Sequence, residues 1–142
     1  MKGWDNSAIV VAVVMLIGGC RMTQSAVFQA KPLESMKAVP ASESTHALDT
    51  ELTAYLRGRY LLVSASYYRA PAMIPWLAIS KSVQNQMAEM SIQPAIFEWN
   101  EPGVDFIEVY PQEKHDAAFA VAMPRGSKSD AEKLVGFYVL GK

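Results

Sequence analysis

Apolar residues recur at three- and four-residue intervals from Trp76 to Met90, the clearest periodic signal in the chain. Trp76, Ile79, Val83, Met87 and Met90 form one stripe. Ser80, Lys81, Ser82, Gln84, Asn85 and Glu89 fill the remaining face. This spacing predicts an amphipathic helix laid on a core. Pro75 suits its first turn, where a missing N–H costs nothing. Leu48, Leu52, Tyr55 and Leu56 predict a second helix, from His46 or Ala47 to Arg57. Thr45 is its expected cap and Gly58 its stop.

Between the helices, residues 60–68 are rich in β-branched and aromatic side chains and carry no charge. They predict a strand that Ala70-Pro71 ends. After the second helix come four further strand candidates, at 95–99, 104–110, 117–123 and 134–140. Asn100-Glu101-Pro102-Gly103 is a turn sequence, since proline presets φ and glycine tolerates positive φ. Short links favour antiparallel neighbours. The expected fold is therefore α+β: one main helix packed on an antiparallel sheet of about five strands. The order helix, strand, helix, four-strand meander resembles that of cystatin-like folds, in which a sheet wraps one helix. The Gln-x-Val-x-Gly signature of cystatins is missing, so the resemblance implies nothing about protease inhibition.

The first 44 residues have a different texture. Lys2 precedes an uncharged, mostly apolar run from Ala8 to Gly19. That run is shorter than the roughly 20 apolar residues a spanning helix needs, and it matches the hydrophobic region of a secretory signal. It ends in Leu16-Ile17-Gly18-Gly19-Cys20, which holds the chain's one cysteine. This segment resembles the lipobox of bacterial lipoproteins. The resemblance implies cleavage between Gly19 and Cys20 and acylation of Cys20, including an acyl chain of the palmitate type. Arg21 stands where an aspartate would favour the inner membrane, so the resemblance implies an outer-membrane anchor facing the periplasm. Residues 21–44 mix Ser, Thr, Gln, Lys and two prolines and read as a tether. Val27, Phe28, Leu33 and Met36 are its apolar exceptions, able to dock on a partner or on the domain itself. The expected organisation is a signal peptide at 1–19, a lipid-anchored tether at 20–44 and a periplasmic domain at 45–142.

Charge and chemistry narrow the function further. The net charge of −1 gives no reason to expect nucleic acid. Arg57, Arg59, Arg69 and Lys81 are followed by Glu89, Glu98, Glu101, Asp105, Glu108 and Glu113, a segregation that two apposed stretches would offset. With Cys20 acylated, no thiol remains for a disulfide, a metal or catalysis. His46 and His115 have no histidine or cysteine near them in sequence, and no nucleophile elbow, P-loop or dinucleotide motif occurs. No cofactor beyond the covalent lipid, no metal and no catalytic residue is expected. Glu98, Asp105 and Glu108 read as outward positions of a hairpin. Tyr, Trp and Arg anchor protein interfaces, so Tyr68, Arg69, Met73 and Ile74 are the candidate partner-binding residues. Trp76 is expected in the core. The leading expectation is a non-enzymatic lipoprotein that binds another envelope protein, as an accessory of a secretion, pilus or conjugation apparatus. A second is a ligand-binding or inhibitory module with a pocket lined by Phe106, Tyr110, Phe119 and Phe137. The weakest is an envelope hydrolase built on His115 and a carboxylate.

Overall fold

Ser42 starts the first helix. In the computed structural model, which describes residues 27–95, 106–124 and 132–142, α1 spans Glu43–Leu56. The Ser42 hydroxyl accepts from the Thr45 amide, and the Thr45 hydroxyl accepts from the Ser42 amide at 2.7 Å. The cap thus lies three residues before the expected one, and Thr45 is its reciprocal partner in a capping box. Leu48, Leu52 and Leu56 are buried. Arg57 then turns left-handed and Gly58 follows at φ 81°.

The second helix, α2, spans Trp76–Glu89, with Pro75 as its N-cap residue. Ile79, Val83 and Met87 are buried as the stripe predicts. Met90 is not, because the helix stops before it. Ser91 adopts φ 61°, its amide donates to Ala88 and the Ile92 amide donates to Met87. This is a Schellman stop made without glycine. A side chain at this φ is disfavoured by about 1–2 kcal/mol, partly offset by the flexibility of glycine in the unfolded chain. Ser91→Gly is therefore expected to stabilise the domain by about 0.5–1 kcal/mol, read as a higher Tm.

Among the described residues, five strands form one antiparallel sheet: β1 Lys37–Val39, β2 Leu61–Ala70, β3 Phe106–Gln112, β4 Ala117–Met123 and β5 Lys133–Gly141. Their order across the sheet is β1-β2-β5-β4-β3. The α+β class holds, and β3, β4 and β5 form three of the four strands of the expected meander. Of the strand expected at 95–99, Ala95 makes a single bridge to Val109. Residues 96–99, the Asn100–Gly103 turn, Glu98, Glu101 and Asp105 lie outside the described residues, as do residues 1–26 and 125–131.

Two expectations are corrected. The sheet does not wrap one helix: it carries α1 on one face and α2 on the other. Leu48, Leu52 and Leu56 pack with Ala118, Ala120, Ala122, Leu134, Tyr138 and Leu140. Ile79, Val83 and Met87 pack with Phe119, Val121, Met123, Val135 and Phe137. Side chains alternate across a strand, so these sets are opposite faces of β4 and β5. The α1 face of β4 is built of alanines and the α2 face of larger residues. The other correction concerns the domain boundary. Val27, Ala30 and Met36 are buried and β1 pairs with Tyr67–Arg69, so the folded part begins well before residue 45. The four apolar exceptions in the expected tether dock on the domain: Met36 in the α2-side core, Phe28 and Leu33 against it, and Val27 buried beside them. Two glutamines clamp the same segment. Gln112 exchanges both hydrogen bonds with the Phe28 backbone, at 2.7 and 2.8 Å, and Gln86 does so with the Lys31 backbone, at 2.8 and 3.0 Å.

Candidate functional site

Each face of the sheet carries one carboxylate held by tyrosine. Under α1, the Asp49 carboxylate accepts from Tyr67 at 2.7 and 2.9 Å and from Tyr138 at 2.8 Å. Tyr138 is fully buried, and its ring meets Tyr67 edge-on with centroids 6.2 Å apart. Burial first, and Asp49 second, raises the Tyr67 hydroxyl to about 12; the same causes push Tyr138 up. Under α2, Glu108 accepts from Tyr110 at 2.6 Å and from Ser80 at 2.5 Å, with Gln84 at 3.3 Å. Tyr110 is likewise fully buried, and burial followed by Glu108 raises its hydroxyl.

These clusters join helix to strand. A phenol raised in this way stays protonated at neutral pH and keeps donating, so its chemistry is that of a structural cross-link. Glu108 was expected to point outward and Ser80 to lie on the wet face of α2; instead they meet at the helix–sheet boundary. The Asp49 cluster was not legible in the sequence, because its members lie 18 and 89 residues apart. Glu108 and Tyr110 are two apart on one strand, and that spacing was a readable signal.

The four candidate partner-binding residues divide. Tyr68 is half-buried, packed edge-on against Phe137 at 5.3 Å, and Ile74 is half-buried against the same core. These two serve the core more than the surface. Arg69 is exposed and points to the α1 face, where it lies 3.9 Å from Glu132, a solvent-exposed pair of little energetic weight. Met73 is 84% exposed, and Leu77, the second residue of α2, is 72% exposed. Leu77 was not singled out in the sequence, although it falls outside the apolar stripe and so had to face away from the core.

The backbone beneath Met73 and Leu77 is held at several points. The Lys133 ammonium donates to the Ala72 carbonyl, the Ile74 amide donates to Pro71, and Trp76 stacks on Phe106 at 5.3 Å. Trp76 is thus half-buried against the core, as expected. The result is one exposed apolar side chain on an ordered turn and a second at the start of the helix that follows.

The space expected for a ligand between Phe106, Tyr110, Phe119 and Phe137 is filled by those side chains. Phe119 and Phe137 meet edge-on at 5.6 Å. An open cleft of about 690 Å³ lies elsewhere, between Phe28, Met90, Ile92, Pro94, Pro111 and the Glu113–His115 turn. His115 is exposed on that turn, and among the described residues no hydrogen bond joins it to a carboxylate. His46 is exposed on the first turn of α1. Compared with protein-family models, curated proteins and solved structures, the chain matches none.

Proposed function

We propose that this chain is a lipoprotein anchored through Cys20 to the periplasmic face of the outer membrane, and that its domain binds another envelope protein. In this reading it is a non-enzymatic accessory or assembly factor of a secretion, pilus or conjugation apparatus. The anchor rests on Leu16-Ile17-Gly18-Gly19-Cys20 and the short apolar run before it. The observation that carries the binding role is the exposure of Met73, on a turn fixed by Lys133, and of Leu77, in the first turn of α2 beside the stacked Trp76. Large apolar side chains held in a defined geometry outside a core are what a partner pocket recognises. The engagement of Asp49 and Glu108 by tyrosines favours this reading over a hydrolase.

Photocrosslinking in cells tests it. A crosslinking residue at 73 or 77 is expected to give one discrete adduct that a residue at Lys81, on the same helix, does not. Leu77→Lys beneath a crosslinker at 73, or Met73→Lys beneath one at 77, should weaken that adduct severalfold while the circular dichroism spectrum stays unchanged. The same adducts from position 81, or none from 73 and 77, would refute the binding surface.

A further inference from the structure

The structure assigns the two ends of the sheet different surroundings: we infer that the end bearing Met90, Ile92, Phe28, Leu61 and Val63 rests on a phospholipid bilayer, and the Met73–Leu77 end points away from it. The inference deepens the proposed function and rests on acylation of Cys20.

The first observation is where the chain becomes fixed. The Phe28 backbone is held by Gln112, the last residue of β3, and Val27 is buried. Seven Cα steps separate Cys20 from Val27, a reach of at most about 25 Å. At most the six residues 21–26 separate Cys20 from Val27, so an acylated Cys20 lies within that distance of the Gln112 end. The opposite end lies about 21 Å from that point, the length of the 14-residue α2, so only a tether near full stretch would reach it.

The second observation is independent of the tether. Gly141 pairs with both Leu61 and Ala117, and Ala117 pairs with Gln112, so Leu61 and Gln112 lie at the same end of the sheet. Met90 and Ile92, just past the C-terminus of α2, line the cleft beside Gln112 and Phe28. Large apolar side chains are exposed here: Leu61 at 64%, Val63 at 66% and Met90 at 53%. No charged residue lies between Tyr60 and Tyr68. Apolar side chains on the surface nearest a lipid anchor fit the headgroup–acyl boundary, where an interfacial protein buries its apolar face.

The charges at this end are of both signs. Arg57, Arg59, Lys114 and Lys142 are exposed, and so are Glu89, Glu113 and Asp116. The contact is therefore held by apolar burial and the tether. It should differ little between low and high salt, unlike a polybasic attachment.

Depth quenching tests the orientation. The full chain is purified from membranes and reconstituted into phosphatidylethanolamine–phosphatidylglycerol vesicles containing a phospholipid with a nitroxide headgroup. Single cysteines are introduced as Met90→Cys, Leu61→Cys, Met73→Cys or Leu77→Cys, each on an exposed side chain, and carry a thiol-reactive fluorophore. An acylated Cys20 offers no competing thiol. Labels at 90 and 61 should be quenched several-fold more than labels at 73 and 77, at both salt concentrations. Equal or reversed quenching on protein whose intact mass shows acylation would overturn the orientation and leave the anchor standing. An unacylated mass, with wild-type protein labelled at Cys20, would overturn both.

Discussion

Gly136→Ala is expected to destabilise the domain by about 3–5 kcal/mol, combining an overpacked core with a lost buried hydrogen bond. A Cβ at Gly136 would stand 2.6 Å from the Tyr138 ring and hydroxyl. Such a clash is cheap when the neighbouring side chain can swing aside. Tyr138 cannot: it is fully buried, and its hydroxyl is bound to Asp49. Gly136 is therefore needed for close approach, since the tyrosine lies flat over it to reach α1. Chemical denaturation should give a much lower midpoint for Gly136→Ala. Shortening the ring as well, in Gly136→Ala with Tyr138→Leu, should cost less than the sum of the single changes, because the two residues share one space. Additive costs would contradict this account.

The same strand shows why some of the fold could be read from the sequence and some could not. The helices were legible because Leu48, Leu52 and Leu56, and Ile79, Val83 and Met87, repeat at the helical period. The second covered face was also encoded, in β4. Ala-Ala-Phe-Ala-Val-Ala-Met has no polar alternation, and a strand buried on both faces reads as a continuous apolar run. The one-helix expectation overlooked that signal. β1 was hidden for another reason. Three residues, Lys-Ala-Val, cannot declare a strand, and their pairing with Tyr67–Arg69 is a long-range choice. Pro40, which cannot donate to the ladder, then keeps the strand short. Of the partner-binding candidates, Met73 could be placed because a turn side chain flanked by prolines has little core to enter. Tyr68 and Arg69 could not, since strand alternation says only that they face oppositely, and which one turns inward depends on Phe137.

Asp49→Ala should cost about 3–4 kcal/mol, because hydrogen bonds to a charged group are worth about 1.5–3 kcal/mol each and the buried Tyr138 hydroxyl would be left without its acceptor. Asp49→Asn, which keeps one carbonyl oxygen, should cost less. The wild-type protein also carries a pH signature of this contact. Tyr67 is raised in the folded state to about 12, from 10.0. A group whose folded pKa is raised stabilises fully below its unfolded value, and that stability is lost as pH rises through the folded value. The contribution is therefore complete below pH 10 and falls away between pH 10 and about 12. Tyr138 is pushed up as well and acts with the same sign. Removing Asp49 takes away two of the causes that raise both phenols, so the alkaline decline should begin from a lower stability and be shallower in Asp49→Ala. Denaturation midpoints measured from pH 8 to 12 for both proteins decide the matter. Parallel curves would mean that the phenols hold α1 to the sheet through packing alone, without the carboxylate.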